Sequence, residues 1–415
     1  MNICIVSEEF PPLTDNGGIA SVSVNLAKGL EKSGHKVSVI TKAIGDNRYQ
    51  YNYHKNQKIR VYRTNINFNN KLLNFFYFRF PLGVMRRIAR LTFPIFWNII
   101  EWNVAAYLQF KEIHKQERIT VVHTPDFHLG GLFILMLTKV PVMVQLHGWR
   151  SLIVVKLGRA EKTIEGALID LLEKFYVKRS SGYFVVSKSL GTLAKKWLNT
   201  KDLPKVIYNS VDKTAFFPQE KIEQSRRILY VGRFEKKKGV DLLLLAFIKL
   251  AEEYKDIQLL FVGRDTETFP MNRQMVSFRK YVSSLEIPIQ TKRRIQLIKH
   301  KPHSQLLRFY QQASFCVFPS HFEPFSMTLL EASACGKAVI ASNRGGAGEF
   351  IRDGKNGLLI EPNVEAIIKK AELLIKHPNY RNKLGVAACK TVRKHHGIKK
   401  ISRQVHAFYT KCIAK

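Results

Sequence analysis

The chain has 415 residues, a hydrophobic fraction of 46% and a formal net charge of +35, because 67 Lys and Arg residues outnumber 32 Asp and Glu residues. This length and apolar fraction predict about two globular domains, each large enough for its own core, and exclude a small single module. The positive charge favours anionic partners such as phosphates, anionic lipids or nucleic acids.

The N-terminal segment is predicted to open a βαβ unit. A strand, NICIVS, is followed by a glycine loop, a helix from about Ala20 and a second strand, KVSVIT, and the crossover should be right-handed. Gly17 and Gly18 lack the spacing of a G-x-G-x-x-G motif, so a dinucleotide-binding dehydrogenase is not expected. Acids and prolines interrupt MNICIVSEEFPP, which predicts that no signal peptide is present.

Residues 47–100 contain no acidic residue, and basic side chains are interleaved with aromatic ones. This composition is typical of docking at a membrane interface, although some of the aromatic residues must fill the core of the first domain. The basic residues are Arg48, Lys55, Lys58, Arg60, Arg63, Lys71, Arg79, Arg86, Arg87 and Arg90. The aromatic residues are Phe68, Phe75, Phe76, Tyr77, Phe78, Phe80, Phe93, Phe96 and Trp97.

Residues 91–110 are nearly long enough to span a bilayer. Polar residues and a proline within them predict a core or surface helix instead, namely Pro94, Asn98, Glu101, Asn103 and Gln109.

Two strands of the first half end in histidines. In TVVHTPDFHLGG, His123 and His128 either line an acceptor cleft or are polar loop groups. His147 follows the strand VPVMVQL, where a histidine is either a capped structural residue or a catalytic one. The residues alone leave both alternatives open.

A strand, loop and helix unit begins at ILYV, residues 228–231, and ends its strand at Gly232. Ligands lie beyond the carboxyl ends of strands in open α/β sheets, where Arg233 and Lys238 should project. A guanidinium fork and an ammonium suit two phosphate groups, whereas Lys236 and Lys237 fit a solvated basic loop. The following helix is predicted to bury the face formed by Leu242, Leu245, Ala246 and Leu250.

Glu323 and Glu331 lie beyond the strand FCVF, in the loop HFEPF and in the helix that follows it. The backbone amides of Phe325, Ser326 and Met327 should stand at the helix N-terminus, where phosphate binds. Carboxylates accept hydrogen bonds from sugar hydroxyls, so a phosphate between two carboxylates indicates a sugar nucleotide. The alternative is that two glutamates share a solvated helix by chance.

In order and spacing, these segments resemble the retaining glycosyltransferases of the GT-B fold, family 4 of the sequence-based classification. That group includes sucrose synthases, phosphatidylinositol mannosyltransferases and many lipopolysaccharide and capsule enzymes. The matching segments are PPLTDNGGIASVSVNLAKGLEKSGHKVSVIT, LHGWR, VVSKS, YNSVD, VGRFEKKKGVDLL, the Glu323 to Glu331 block and NRGGAGEFIRDGKNGLLIEP. The resemblance implies an α/β fold with two Rossmann-like, doubly wound domains facing across a cleft. Residues 1–210 and 211–390 would form these domains, and residues 391–415 would cross back to the first.

The resemblance also implies roles for individual residues. Arg233 and Lys238 would hold the donor diphosphate, and Glu331 would hold the nucleotide ribose. Glu323 would contact hydroxyls of the transferred sugar, and His147 would lie near the reacting carbon. Gly17 and Gly18 would belong to the loop that closes over phosphate or acceptor. The amides that complete the donor site would be those of Phe325, Ser326, Met327 and Thr328. Ser326 departs from the family pattern, in which many members have glycine.

The predicted function is therefore transfer of a sugar from a nucleoside diphosphate sugar to a hydroxyl of an anionic, lipid-linked or saccharide acceptor. No metal motif is recognised and no cofactor is expected, so Arg233, Lys238 and the helix amides must stabilise the leaving diphosphate. Cys4, Cys316, Cys335, Cys389 and Cys412 show no framework spacing, which suits a reducing cytoplasm, with the enzyme peripheral on the inner membrane face. The alternatives are a soluble glucan or sucrose-type synthase and, in a different class, a nucleic-acid-binding protein; specific nucleic acid binding is not expected because no recognition motif is found.

If residues 47–100 dock on anionic lipid, replacing Arg86, Arg87 and Arg90 with Glu should weaken sedimentation with anionic liposomes. Each cation near such a surface contributes about 1 kcal/mol, and the attraction should fade as salt is added. Nucleotide affinity serves as the control and should be unchanged, because the predicted donor groups lie elsewhere in the chain. A triple variant that pellets as well as the wild type at low salt would contradict the docking role.

Overall fold

The computed structural model describes residues 1–12, 17–43, 49–52, 58–64, 91–150, 152, 163–219, 226–272 and 274–414. The chain divides into two compact units. The first comprises Met1–Val186, Gly191–Ile207 and Ser402–Lys415, and the second comprises Ser187–Leu190 and Tyr208–Ile401. Among the described residues, no helix has both the length and the apolar character needed to cross a membrane.

The first unit is built on an eight-stranded sheet with the order β3-β4-β2-β1-β5-β6-β7-β8. Every pairing is parallel except that of β3 with β4, so the expected βαβ opening is confirmed. The order reverses between β1 and β5, which places a topological switch point at their carboxyl ends. The strands are β1 (Asn2–Val6), β2 (Lys36–Lys42), β3 (Tyr49–Asn52), β4 (Ile59–Thr64), β5 (Val121–Pro125), β6 (Val142–Leu146), β7 (Gly182–Val185) and β8 (Lys205–Val206).

The helices of this unit bury apolar faces against the sheet and against one another. They are α1 (Gly18–Glu31), α2 (Pro94–Glu117), α3 (Leu132–Leu137), α4 (Ile164–Arg179), α5 (Lys188–Leu198) and, at the end of the chain, α14 (Ile398–Ile413). Helix α2 confirms the prediction of a core helix for residues 91–110. Its Asn103 is fully buried and donates to Ile99 O at 2.9 Å, while its Oδ1 accepts the Leu132 amide at 3.0 Å.

The second unit is built on a parallel six-stranded sheet with the order β13-β10-β9-β14-β15-β16. Its switch point lies between β9 and β14, whose register pairs Ile228 with Phe315. The strands are β9 (Arg227–Val231), β10 (Gln258–Gly263), β11 (Glu267–Met271), β12 (Gln274–Ser277), β13 (Ile295–Lys299), β14 (Phe315–Phe318), β15 (Ala338–Ser342) and β16 (Leu358–Ile360), of which β11 and β12 form a separate hairpin. The helices are α6 (Val240–Glu253), α7 (Phe278–Ser284), α8 (Ile289–Lys292), α9 (Leu306–Gln312), α10 (Met327–Ala334), α11 (Ala347–Phe350), α12 (Val364–Lys376) and α13 (Pro378–His395).

The structure corrects two details of packing in this unit. Helix α6 buries Ala246 and Leu250 as predicted, but Leu242 and Leu245 are only partly buried and Leu243, Leu244 and Phe247 are buried instead, so the centre of the predicted face was shifted. The polar segment TAFFPQEKIEQS, which begins at residue 214 and resembles an interdomain linker in composition, contains Phe216, which is 1% exposed and packs edge-on against other rings. Hydrophobic burial outweighed the polar composition around it.

Most of the basic and aromatic segment predicted to dock on lipid lies outside the described residues, including residues 53–57 and 65–90 with Arg86, Arg87 and Arg90. Within the described part, Arg63 is 1% exposed and donates to Lys42 O at 3.0 Å and to Phe10 O at 2.6 Å. Arg60 pairs with Glu117 at 2.5 Å. Arg63 therefore serves the core of the first unit, and its inclusion among docking cations was wrong.

Glu349 of α11 binds Ser187–Leu190, the first segment of the chain that belongs to the second unit. Its carboxylate accepts the amides of Lys188 and Ser189 at 2.8 and 2.9 Å, and the Tyr208 hydroxyl donates to it at 3.1 Å. A carboxylate on the first amides of a helix satisfies donors that have no partner within the helix and complements the helix dipole. Glu349 thus acts as the N-terminal cap of α5.

Candidate active site

The carboxyl end of β9 carries two of the predicted phosphate ligands. Arg233 is 47% exposed and pairs with Glu235 at 2.8 Å, while Lys238 is 21% exposed and pairs with Glu323. Burial would raise the pKa of Glu235, but Arg233 and Lys237 outweigh it and hold that pKa below its ordinary value. Lys237, which contacts Glu235 at 3.1 Å, is thus a half-buried ion-pair partner, and its assignment to a solvated loop was wrong.

Two glycines allow the loops at this edge to approach closely. Gly239 has φ +68°, and a Cβ there would lie 2.2 Å from the backbone oxygen of Pro319. Gly345 has φ +117°, and a Cβ there would lie 2.0 Å from the backbone oxygen of Glu323. Gly239 therefore lets the loop after β9 approach the loop after β14, where Lys238 meets Glu323, and Gly345 lets the loop after β15 approach the backbone of Glu323.

Helix α10 begins where the sequence predicted it. Ser326 is its N-cap, and the Ser326 hydroxyl accepts the Leu329 amide at 3.2 Å and contacts the Thr328 hydroxyl at 3.0 Å. Ser326 has φ −74° and ψ 126°, so its backbone has no need of glycine. Phe325 is 4% exposed, and its backbone oxygen accepts from the side-chain Nδ2 of Asn209 at 3.1 Å. The helix therefore presents its first amides toward the loop that carries Glu323.

Glu331 is 2% exposed, so it is not a solvated helix residue. Tyr310 donates to its Oε2 at 2.8 Å, and His303 Nε2 lies 2.9 Å from its Oε1. Burial and the Glu331 charge together raise the pKa of Tyr310 well above its ordinary value, so its hydroxyl remains a donor. Sequence reasoning missed both partners, because they precede the helix by about two dozen residues and share no motif with it.

His147 lies in a loop of the first unit that two buried carboxylates hold. Asp126 accepts the amides of His147 and Gly148 at 3.1 and 2.9 Å, and Glu173 of α4 accepts the Arg150 amide at 3.0 Å. Burial raises the pKa of Asp126 to about 6 and that of Glu173 to about 8, and it lowers the pKa of His147 to about 4. The His147 ring is therefore neutral near pH 7 and can exchange hydrogen bonds but carries no charge.

The two other histidines have different surroundings. His123 is 3% exposed and hydrogen-bonded to the Tyr409 hydroxyl at 2.8 Å, so the idea that it lines a cleft was wrong. His128 has φ +57°, an uncommon conformation for a residue other than glycine, and its Nδ1 contacts the Glu8 carboxylate. Gly17 and Gly18 lie at the N-terminus of α1, Gly17 as the N-cap residue. Within the described ranges, no cluster of three or more His, Cys, Asp or Glu side chains could hold a metal ion.

Two family models together match residues 16–391 of the chain. The family model described as Glycosyltransferase Family 4 matches residues 16–215, and that described as Glycosyl transferases group 1 matches residues 212–391. An uncharacterized glycosyltransferase of Methanocaldococcus jannaschii is 30% identical over 291 residues, which cover 69% of this chain and 74% of that protein.

Solved structures show the same fold. Sucrose-phosphate synthase from Thermosynechococcus elongatus aligns over 100% of both chains with a TM-score of 0.76 and 20% identity. Anabaena HepE in complex with UDP-glucose aligns over 99% of this chain and 100% of that one, with a TM-score of 0.66 and 16% identity. At these identities the likeness concerns the fold, and it confirms the expected GT-B class.

The raised pKa of Glu173 predicts a pH-dependent effect of Glu173→Gln. A folded-state pKa of about 8, above the ordinary glutamate pKa of 4.5, means that the stability linked to Glu173 is full below the lower pKa and is lost as pH rises through the upper one. Glutamine keeps the carbonyl that accepts the Arg150 amide and has no charge. Thermal unfolding between about pH 5 and about pH 9 should therefore favour the variant increasingly, by up to a few kcal/mol. The control Glu112→Gln, at an exposed position, should show the same pH dependence of unfolding as the wild type. If the Glu173→Gln curve runs parallel to that of the wild type, the raised pKa of Glu173 is contradicted.

Proposed function

Because the chain belongs to the group 1 glycosyl transferases, we propose that it moves a sugar, with retention of configuration, from a nucleoside diphosphate sugar to a hydroxyl of an anionic acceptor. The observation that carries the proposal is the switch point between β9 and β14. One strand is followed by two cations, and the other is followed by a carboxylate and a helix N-terminus. This is the edge at which open α/β sheets bind ligands.

The charges at this edge suit a diphosphate. Lys238 is held by Glu323, and Arg233 is held by Glu235, so both cations are already oriented by an ion pair. As the bond to the transferred sugar breaks, negative charge grows on the leaving phosphate. Oriented cations and helix amides stabilise that charge without reorganising, and this makes a divalent ion unnecessary in the proposed reaction. Turnover that survives EDTA would support this part of the proposal, and loss of turnover restored by a divalent ion would contradict it.

The two glutamates are proposed to act on different parts of the donor. Glu331 is buried and fixed by Tyr310 and His303, as a rigid acceptor for ribose hydroxyls requires. Glu323 is 24% exposed in a loop and would accept hydroxyls of the transferred sugar. His147 is proposed to contact the sugar near the reacting carbon as a neutral imidazole, consistent with its low pKa. The HepE complex with UDP-glucose supports a nucleotide sugar as donor.

The acceptor is proposed to be anionic and either lipid-linked or a saccharide, because the formal charge is +35. A peripheral membrane enzyme of the cytoplasmic face fits such an acceptor. A soluble sucrose-type synthase is the second candidate, favoured by the full-length likeness to sucrose-phosphate synthase.

A donor screen tests the proposal directly. Thermal shift with UDP-, GDP- and ADP-sugars should single out one nucleotide, and slow hydrolysis of that donor should release the nucleoside diphosphate. Product anomers read by NMR would then show retention or inversion. If no nucleotide sugar stabilises the protein and it binds RNA tightly, a nucleic-acid-binding protein would be favoured instead.

Arg233→Ala and Lys238→Ala should each lower kcat/KM by about 2–4 kcal/mol of transition-state stabilisation, the range for single groups that stabilise developing charge. Lys236→Ala is the matched control, since this exposed lysine lies in the same loop. Steady-state kinetics with the selected donor provide the measurement. Near-wild-type turnover in both single variants would remove the diphosphate assignment.

Glu331→Gln and Glu323→Gln should have different effects. Loss of a ribose acceptor should weaken binding of the free nucleoside diphosphate, whereas loss of a sugar contact should spare that binding and lower kcat. Calorimetric titration with the nucleotide and single-turnover transfer separate the two effects. Equal losses of nucleotide affinity in both variants would show that the division of roles is wrong.

A further inference from the structure

The C-terminal end of the chain carries a second acid-free region. No Asp or Glu follows Glu372, whereas lysines and arginines recur to the last residue. Helix α13 lies in this region and packs its buried residues against α10 and β15 of the second unit. Its opposite side faces solvent, so its charges are available to a partner.

The charged residues on the exposed side of α13 are all cationic. Lys383, Lys390, Arg393 and Lys394 follow the spacing of one helix face and extend over about 16 Å at 1.5 Å per residue. No ion pair joins these four side chains to any residue in the described ranges. We call this set, together with its basic neighbours in the same unit, the cationic face. Its members are Arg352, Lys383, Lys390, Arg393, Lys394, Lys399 and Lys400.

The electrostatics at one end of the cationic face agree with this description. The pKa of His395 is lowered first by burial and then by the charges of Lys400, Lys394 and Arg352. These three charges are all positive, although they come from α13, from α14 and from the loop before β16. An anionic surface placed here would relieve repulsion among them.

The cationic face also has an apolar centre. Val386 is 51% exposed and lies between Lys383 and Lys390. An open groove of about 530 Å³ runs along it, lined by Asn379, Asn382, Lys383, Val386, Ala387 and Lys390. Lysine stems over an apolar strip, with ammonium groups at its border, match the boundary between lipid head groups and acyl chains.

A nucleic acid strand fits this face less well. Single strands are held by aromatic rings that stack on the bases. The only Phe, Tyr or Trp between residues 378 and 401 is Tyr380, which is half-buried and donates to Gly354 O at 3.2 Å. The face therefore offers charge and a small apolar strip, without a stacking platform.

We propose that the cationic face of the second unit docks on an anionic lipid bilayer. This contact is separate from residues 47–100 and does not rest on the nucleotide sugar assignment. Because several lysines and arginines act together, binding should be strong at low salt and weak when about 1 M salt shortens the Debye length to about 3 Å.

The test replaces Lys383, Lys390 and Lys394 with Glu. The matched control replaces Lys249, Lys255 and Lys292 with Glu. These lysines are exposed in the same unit outside α13, where Lys249 lies 4.0 Å from Glu365, and their replacement changes the net charge equally. Both triple variants are made in the full chain and in the Arg86→Glu, Arg87→Glu, Arg90→Glu background, so that binding through the other segment does not mask the effect. Binding is measured by sedimentation with phosphatidylcholine vesicles, with and without phosphatidylglycerol, and by heparin and RNA affinity.

The α13 variant should bind phosphatidylglycerol vesicles at least about tenfold more weakly than the control variant, with unchanged thermal unfolding and donor binding. Vesicle binding that is unchanged in both variants would overturn the proposal. Equal losses in both variants would also overturn it, because they would show that only net charge matters. A loss confined to heparin or RNA would overturn it in favour of an anionic polymer.

Discussion

The register between β9 and β14 is the constraint on which the candidate donor site depends. Ile228 pairs with Phe315, so the two strands reach their carboxyl ends at the same level although they are far apart in the chain. Loops that follow strands ending together must share space, and Gly239 permits the close approach of the loops after β9 and β14. A slip of one residue would turn the buried side chains of β14 to its other face and move its loop away from Lys238. The chemistry of the loops is therefore set by the packing of the sheet beneath them.

The first unit uses the same architecture with acidic side chains at its switch point instead of basic ones. Beyond β1 and β5, at its own switch point, stand the carboxylates of Glu8 and Asp126, and Glu173 approaches from α4. Asp126 and Glu173 accept hydrogen bonds from backbone amides of the His147 loop, so their role is to fix that loop rather than to bind a cation. Burial raises the pKa values of these carboxyl groups. It is tolerated because they accept hydrogen bonds from backbone amides that would otherwise have no partner.

Sequence patterns predicted what depends on local order and missed what depends on distant contacts. The strand ends, the position of Arg233 and the start of α10 follow from apolar runs and helix signals within a few residues. His123 was misjudged because its partner, Tyr409, lies 286 residues away on the last helix. The partners of Glu331 and the buried Phe216 were missed for the same reason. The shifted face of α6 shows a further limit, since a helix rich in leucine on all sides carries little phase information.

The cap that Glu349 places on α5 bears on how such an enzyme can be divided or recombined. The second unit is discontinuous in sequence. It includes the short segment Ser187–Leu190, and its main part begins only at Tyr208. A fragment cut at the family boundary of residue 212 would leave the Glu349 carboxylate without the amides of Lys188 and Ser189 and without the Tyr208 hydroxyl. Exchange of the second unit between relatives must therefore carry two separate stretches of sequence, and a crossover placed between them inherits half of a helix cap.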